Sequence, residues 1–418
     1  MSDYLPPNLI TAILCRLPVE SLLRFRCVSK QWCSLISSPH LISTHLSHSG
    51  YPLLLLRHLS TRTKNQEHYS VYLDSLKTEN FAPVKELNFP FKTRSGNQFR
   101  VVGFCNGLFC LSDDLFGYTY TIVLWNPAIR KSVTLPKPRV HFGPYGPYMF
   151  CLGFGFDRKN CDFKVVRIAY LQNKYGAYSV LPPEVEVYSL SSGLWRTVDS
   201  KDVRCKIIEY FYSSVYLNGA IHWICCVKND DGEFTSSLLV FDLTDEKFSE
   251  MCLPRELVHV SPLDLSVSLC EGQISMFWYE KGRDNGESCD FCAVWVMNQY
   301  GEVESWTKKF VVVLEGGLSH AIGFRGNGEF LVEKFVGDLM SYDPERKEFK
   351  DLGIHGGKDS FFLSQYAESL VLLDGSSGAV SDPSVASDAE ETDSGLSEGG
   401  LLQEWYCSAL YAKVSLCD

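Results

Sequence analysis

The chain has 418 residues, of which 45% are hydrophobic, 13% aromatic and 21% charged, a composition typical of soluble globular proteins and long enough for two domains with separate cores. The formal net charge is −11 and no basic patch dominates, so nucleic acid is not an expected partner. The first residues lack a secretory pattern and no apolar run reaches the ~18 residues of a membrane span, so we expect a cytoplasmic or nuclear protein without membrane insertion.

Sixteen cysteines are present. In a cytoplasmic or nuclear protein we expect them to be reduced and mostly buried as small hydrophobic residues. One CxxC pair, Cys289 and Cys292, has no second cysteine pair or histidine pair at zinc-site spacing. We therefore predict no metal site and no cofactor.

The first fifty residues predict three short helices. In the first, apolar residues recur at helical spacing, namely Leu5, Leu9, Ile10, Ile13, Leu14 and Leu17. Pro18 ends this helix, and VESLLRFRCVS and SKQWCSLISS follow as the second and third, with Pro39 ending the third. Three short helices cannot bury all these side chains among themselves. Two alternatives stay open on this basis: a cap on the rest of the chain, or a surface for a partner protein.

From about residue 51, short apolar runs alternate with turn residues, a pattern that predicts an all-β domain. Strand segments led by an aromatic residue recur about every ~50 residues, the period of a four-stranded propeller blade, and begin at Tyr72, Trp125, Tyr188, Phe241, Trp295 and Tyr342. These predict about six blades. Asn-Gly pairs at 106–107, 218–219 and 327–328 predict tight hairpins. We expect residues 368–374 to pair with residues 51–58 and close the ring.

No catalytic set is apparent in the β domain, so we predict that the protein is not an enzyme. Gly153 and Gly155 lack the third glycine of a dinucleotide-binding motif and are expected in a strand turn. His222 has apolar neighbours in a strand pattern and is expected to be structural. The acids Asp242, Asp245 and Glu246 fall in a predicted turn.

A propeller usually binds its target through loops, and exposed aromatic residues make strong contacts there. The candidates for a target-binding surface are Tyr145, Tyr148, Phe150, Tyr170, Tyr175, Phe211 and Tyr212. The alternative is that half of them are core residues.

Residues 375–418 carry eight acids and one lysine, a net charge of −7, whereas residues 1–50 have a net charge of +2. The Ser/Gly-rich part up to residue 400 predicts disorder. The final stretch, LLQEWYCSALYAKVSLCD, is apolar again and predicts a short helix packed on the disc.

The helical segment resembles a plant F-box. The match consists of Leu5-Pro6, Leu17-Pro18-Val19, the run from Leu22 to Val28, and Ser29-Lys30-Gln31-Trp32, in the order of the family. The resemblance implies docking on a Skp-type adaptor and, through it, on the cullin and RING subunits of a ubiquitin ligase. The adaptor contacts that it implies are Leu5, Pro6, Ile10, Leu14, Leu17, Pro18, Leu22, Leu23, Val28 and Trp32. Trp32, Leu35 and Ile36 could instead anchor the helices to one another.

The β domain resembles the F-box-associated interaction region of the F-box/kelch-repeat and S-locus F-box groups. The resemblance rests on segments such as GFCNGLFCL (103–111), LWNPAIRKSVTLPKP (124–138) and LLVFDLTDEKF (238–248). The chain lacks the Gly-Gly doublet of true kelch repeats. The predicted organisation is a small all-α F-box (1–48), an all-β propeller-like domain (49–374) and an acidic tail (375–418). The implied function is the substrate receptor of a ubiquitin ligase; the alternative is a propeller scaffold with no ubiquitin role.

Overall fold

The computed structural model describes residues 6–47, 53–60, 66–74, 81–93, 98–113, 120–174, 182–207, 214–228, 233–281, 289–313 and 317–373. The tail and its predicted disorder therefore lie outside the described residues, as do Leu5, Tyr175, Phe211 and Tyr212. Within the described part of the chain, no helix is long and apolar enough to cross a membrane.

The N-terminal segment forms four helices, not three: α1 (Pro7–Leu14), α2 (Val19–Phe25), α3 (Lys30–Ile36) and α4 (Pro39–Ser47). Pro18 separates the first two, and the Ser29 hydroxyl caps α3 by accepting the Trp32 N–H at 3.2 Å. Pro39 lies beyond the end of α3, as predicted, but it also opens α4, because a proline at the first helical position loses no hydrogen bond. We call residues 6–47 the helical module.

Six four-stranded antiparallel blades follow, as predicted. Blade 1 contains β1 (Leu53–Ser60), β2 (Gln66–Leu73) and β3 (Pro83–Leu87) as its second to fourth strands, and its first strand is the last strand of the chain. Blade 2 contains β4 (Arg100–Cys105), β5 (Leu108–Ser112), β6 (Ile122–Asn126) and β7 (Lys131–Thr134). After helix α5 (Phe142–Tyr145), blade 3 contains β8 (Tyr148–Asp157), β9 (Asp162–Leu171), β10 (Glu184–Ser189) and β11 (Leu194–Val198).

Blade 4 contains β12 (Ser214–Leu217), β13 (Ala220–Lys228), β14 (Phe234–Asp242) and β15 (Phe248–Cys252). Blade 5 contains β16 (Leu265–Cys270), β17 (Gln273–Lys281), β18 (Cys289–Met297) and β19 (Trp306–Val312). Blade 6 contains β20 (Leu318–Phe324), β21 (Phe330–Lys334), β22 (Asp338–Asp343) and β23 (Glu348–His355). The six predicted aromatic anchors lie on the third strand of the six blades, which explains their period.

The last strand, β24 (Phe362–Tyr366), closes the ring by pairing with β1, with Leu53 opposite Tyr366 and Arg57 opposite Phe362. The ring is closed by pairing with β1, as predicted, but the pairing segment is residues 362–366 and not the predicted residues 368–374. Residues 368–373 form no strand. They pack against blade 2, where Nδ2 of Asn126 donates to the carbonyl oxygens of Ser369 and Val371 at 3.0 and 2.9 Å.

Two of the three predicted Asn-Gly hairpins have the expected backbone. Asn106 and Gly107 have φ of 50° and 85°, and Asn218 and Gly219 have φ of 53° and 84°, the pattern of a type I′ turn. At the third, only Gly328 has a positive φ, 86°. Asn327 instead accepts the Glu329 N–H through its side-chain oxygen at 3.1 Å.

Gly153 and Gly155 lie within strand β8 rather than in a turn, which corrects the prediction. A Cβ on Gly153 would lie 2.4 Å from Cζ2 of Trp223, and one on Gly155 would lie 2.3 Å from Cδ2 of Tyr216. Both contacts cross from blade 3 to blade 4. The two glycines therefore allow these blades to pack closely.

Because every blade is antiparallel, its connections alternate between two faces of the disc. The hairpins between first and second strands, and between third and fourth strands, lie on one face. The chain before β1 and after β24 reaches the same face, which we call the module face. The loops between second and third strands and the inter-blade connections lie on the opposite face, the loop face. One apolar cluster joins the module to the module face and includes Ile10, Leu22, Leu108, Leu190 and Leu370.

Candidate protein-binding surfaces

The helical module leaves four large apolar side chains exposed, which we call the exposed apolar set: Leu9 (51% exposed), Ile13 (50%), Phe25 (36%) and Val28 (66%). Leu9 and Ile13 are one helical turn apart and share one side of α1. Phe25 ends α2, where its ring packs edge-to-face on Trp32 at 5.6 Å. Val28 lies three residues later, in the turn that follows α2. Large apolar side chains left in solvent make the module a candidate protein-binding surface.

Of the residues proposed as adaptor contacts, three are buried in the chain's own core, Ile10, Leu14 and Leu22. Pro6, Pro18 and Val28 are exposed, and Leu17, Leu23 and Trp32 are half-buried. The adaptor-contact assignment stays a prediction. Sequence reasoning placed Leu9, Ile13, Ile10 and Leu14 on one stripe, because helical spacing alone does not show which side of α1 faces the disc.

The module is held rigidly against its own loops and the disc. Ile36 and Leu41 are fully buried. Nε2 of the buried His45, on α4, donates to the carbonyl oxygen of Leu17 between α1 and α2 at 2.9 Å. The exposed apolar set is therefore presented on a fixed scaffold, which lowers the entropic cost of binding.

The module that carries the exposed apolar set also exposes basic side chains. Arg16, Arg24 and Lys30 are exposed and Arg26 is half-buried, whereas Glu20 is the only acid among residues 6–47. Glu20 pairs with Arg24 at 2.5 Å, with both side chains about three-quarters exposed, so this pair adds only about 0–1 kcal/mol to stability. The surface suits an acidic protein partner.

The loop face carries an aromatic cluster between blades 2 and 3. Around the buried Val140, Tyr148 and Ala169 it groups the partly exposed residues Tyr120, Phe142, Tyr145, Phe150 and Leu171. The Tyr120 hydroxyl accepts the Phe142 N–H at 2.7 Å, which ties α5 to the loop before β6. We call these eight residues the aromatic cluster.

The described residues of the predicted target-binding set are divided between this cluster and the core. Tyr145 and Phe150 are partly exposed, but Tyr148 and Tyr170 are buried. The Tyr170 hydroxyl accepts the Ile207 N–H at 3.2 Å, and burial raises its pKa well above the usual value. Tyr170 is therefore structural, the alternative left open for half of the set. Tyr148 is one of the buried residues of the aromatic cluster.

Cations lie over the rings of the aromatic cluster. Nζ of Lys137 is 5.1 Å from the centre of the Tyr120 ring, and the Arg139 guanidinium is 5.6 Å from that of Tyr145. Arg139 also donates to Glu184 at 2.6 Å, and this hydrogen bond raises the pKa of Arg139. Lys137 and Arg139 are exposed, so the cluster offers a protein partner both apolar and cationic contacts.

A buried arginine supports the cluster from within. The Arg167 guanidinium lies 4.5 Å from the centre of the Phe150 ring and donates to Glu186 at 3.0 Å and to the Val140 carbonyl at 2.9 Å. Glu186 in turn accepts the Arg139 N–H at 2.8 Å. This network fixes the backbone of the β7–β8 connection, on which the exposed residues stand.

The polar residues considered for catalysis have structural partners. Nδ1 of His222 donates to the Val215 carbonyl at 3.3 Å and Nε2 accepts the Tyr300 hydroxyl at 2.7 Å. Burial lowers the pKa of His222 to about 4. The Asp242 carboxylate accepts the N–H groups of Thr244 and Asp245 at 2.8 and 2.7 Å, as a turn residue does.

A pocket of about 710 Å³ opens on the loop face of blade 1, where β2 begins and β3 ends. Its one well-buried acid, Glu67, already accepts the Phe99 N–H at 2.7 Å, the Tyr69 hydroxyl at 2.9 Å and the Arg57 guanidinium. Glu67 therefore acts as a structural acceptor between β2 and the connection to blade 2.

Comparison with known proteins gives two family matches. The family described as "F-box associated beta propeller domain" matches residues 62–370, and the F-box domain family matches residues 3–44. The chain is 28% identical to the F-box protein At3g07870 of Arabidopsis thaliana, over 89% of this chain and 93% of the relative.

Two further relatives come from the same plant. The F-box/kelch-repeat protein At3g23880 is 29% identical over 73% of this chain and 78% of its own length. The F-box protein CPR1 is 27% identical over 88% of this chain and 89% of its own length. The helical module and the disc thus each match a family of their own.

Proposed function

This chain belongs to the F-box proteins with an F-box-associated β-propeller, and on that premise we propose that it is the substrate-recognition subunit of an SCF-type ubiquitin ligase. The helical module docks on a Skp-type adaptor, which connects it to the cullin and RING subunits. The propeller binds the target protein. This role requires no catalytic residue, since bringing the target close to the loaded conjugating enzyme is itself the contribution to the rate. We place it in the cytoplasm or nucleus.

The observation that carries this proposal is the exposed apolar set. The module buries Ile10, Leu14 and Leu22 in the apolar cluster that it shares with the disc, yet it leaves Leu9, Ile13, Phe25 and Val28 in solvent. Covering one valine-sized side chain contributes about 1.5–3 kcal/mol, so a partner that covers all four gains substantial affinity.

The test compares two valines in the full chain. Val28 in the module is 66% exposed and Val313, in the β19–β20 connection on the loop face, is 65% exposed. Val28→Asp should weaken binding of a purified Skp-type adaptor at least tenfold by calorimetry, whereas Val313→Asp should leave the Kd unchanged. Equal Kd values for the two variants would refute docking through this surface. Leu22→Asp is unsuitable, because Leu22 is fully buried and the module would unfold.

For the target, we propose the aromatic cluster as the contact surface. It combines half-exposed rings with Lys137 and Arg139 on the face opposite the module. The Arg167–Glu186 network holds the β7–β8 connection that carries these two cations. Val28→Asp can serve as a trap that keeps the target bound without its degradation. Adding Tyr145→Ala and Phe150→Ala should release the proteins that the trap retains, whereas Leu194→Ala, at an exposed position on β11, should not. Retention by both combinations would place the target site elsewhere.

The second candidate is a propeller scaffold with no ubiquitin role, which the aromatic cluster alone would also serve. The two functions differ in one measurement. A scaffold of this kind shows no affinity for a Skp-type adaptor in the unmodified chain, whereas a ligase subunit binds it.

A further inference from the structure

The chain continues beyond Leu373, the last described residue, and it leaves the disc beside the helical module. Leu370 and Leu372 are buried in the apolar cluster that also contains Ile10, Leu14 and Leu22 of the module. Residues 374–418 therefore begin on the module face, beside the helical module that carries the exposed apolar set.

The charges of the three regions favour contact between this tail and the module. Residues 382–398 contain six acids and no basic residue, whereas the module exposes Arg16, Arg24 and Lys30 and has Glu20 as its single acid. The chain between them is itself net negative, because the whole protein carries −11 while the tail carries −7 and the first fifty residues +2. The tail is therefore attracted to the module and repelled on average by the disc.

The end of the tail also carries an apolar stripe. Leu402, Trp405, Tyr406, Ala409 and Leu410 stand at positions i, i+3, i+4, i+7 and i+8, the spacing of one side of an amphipathic helix. Tyr411 stands on the opposite side. A helix of this kind presents a row of apolar side chains, and the exposed apolar set offers large apolar side chains that the described part of the chain leaves in solvent.

The tether makes this contact intramolecular. The segment between Leu373 and the stripe is Ser- and Gly-rich, and a flexible chain of about 28 residues has a root-mean-square span of ~30 Å. Such a linker gives an effective concentration on the order of millimolar. A weak contact is then enough to keep the surface covered much of the time.

We propose that residues 382–410 fold back onto the exposed apolar set and the exposed basic residues of the module, where they compete with the adaptor. The acidic stretch lies against Arg16, Arg24 and Lys30, and the apolar stripe covers Leu9, Ile13, Phe25 and Val28. This inference rests on the proposed function for its consequence, control of adaptor binding, but the contact itself does not need an adaptor.

The test uses two tyrosines of the tail in the full chain. Tyr406→Asp breaks the stripe, and Tyr411→Asp makes the same change on the opposite side. Hydrogen exchange without adaptor should show faster exchange of the α1 and α2 amides in Tyr406→Asp than in the unmodified chain, with Tyr411→Asp unchanged. Equal exchange in all three proteins overturns the proposal, whether or not any of them binds an adaptor.

Adaptor titration gives the second measurement. Tyr406→Asp should bind a Skp-type adaptor about tenfold more tightly than the unmodified chain, and Tyr411→Asp should bind as the unmodified chain does. If Tyr406→Asp binds with an unchanged Kd, the tail does not compete. If no protein of the set binds an adaptor while the exchange difference persists, the proposed function fails and the fold-back contact stands.

Discussion

The helical module and the disc treat their apolar residues differently. Among the described residues, the module exposes four large apolar side chains in 6–47. The disc, of which roughly six times as many residues are described, exposes eight, namely Leu73, Val84, Leu194, Val227, Tyr300, Val311, Val313 and Val336. A closed ring of blades covers both sides of each interior sheet, but four short helices cannot enclose a core of their own. The difference fits a disc that encloses its own core and a module that leaves apolar surface available to the proposed adaptor.

Their charged residues differ in the same way. The disc buries ion pairs, of which Arg57–Glu67 at 3.1 Å and Arg167–Glu186 at 3.0 Å have side chains almost without solvent contact. The module has the exposed Arg24–Glu20 pair. Buried pairs fix one arrangement of the strands around them, whereas an exposed pair leaves its residues available to a partner.

Removing one arginine from each region should show the largest difference. Arg57 joins Glu67 to the carbonyl oxygens of Phe99 and Ser360 at 2.9 and 2.6 Å, across the closure of the ring. Arg57→Ala leaves the buried Glu67 carboxylate without its positively charged partner, so we expect a loss of about 3–5 kcal/mol in the free energy of unfolding. Arg24→Ala should cost below about 1 kcal/mol. Urea denaturation measures both losses in the free energy of unfolding. Losses of similar size would contradict the proposed difference between the disc and the module.

A buried acid should make the disc sensitive to pH. Glu333 is fully buried, and Oε2 has no hydrogen-bond partner among the described residues. Burial, and then the nearby Asp359, raises the pKa of Glu333 to about 8. Because the folded-state pKa lies above the unfolded one, the stability contribution is complete below about pH 4.3 and is lost as the pH rises through 8.

Glu333→Gln removes this titration and keeps an acceptor for the Asp359 N–H, which Glu333 binds at 3.0 Å. The Tm of the unmodified chain should fall between pH 5.5 and 8.5 by more than that of Glu333→Gln. Glu348→Gln, at an exposed position on β23, should behave as the unmodified chain does. If the Tm of all three proteins changes with pH in the same way, Glu333 is not the source of the pH dependence.

Two mid-strand glycines test how closely the blades pack. Gly153→Ala puts a Cβ 2.4 Å from Trp223, whereas Gly103→Ala puts one at an ordinary 3.7 Å from Cβ of Phe154. We expect Gly153→Ala to cost about 1–3 kcal/mol through overpacking and Gly103→Ala to be near neutral. Thermal unfolding compares them. A smaller loss for Gly153→Ala than for Gly103→Ala would show that blades 3 and 4 can separate without cost.

Much of the fold could be predicted from local patterns. The recurrence of Trp125, Tyr188 and Phe241 on third strands predicted the blades, and Asn106-Gly107 predicted its hairpin, because strand alternation and turn backbone depend on neighbouring residues. The F-box was recognised from an ordered motif in the same local way.

The rest was decided by contacts between distant parts of the chain. Helical spacing grouped Ile10 with Leu9, but only the packing of α1 on the disc buries the first and exposes the second. Likewise, two neighbouring segments have the sequence of a strand, residues 362–366 and residues 368–374. Only residues 362–366 close the ring, because they are the ones that pair with β1. The sequence alone did not distinguish Tyr170 from a surface tyrosine. In the structure its buried hydroxyl is hydrogen-bonded to the backbone of Ile207 and Cys205. Periodicity is a property of neighbours in sequence, whereas burial is a property of neighbours in space.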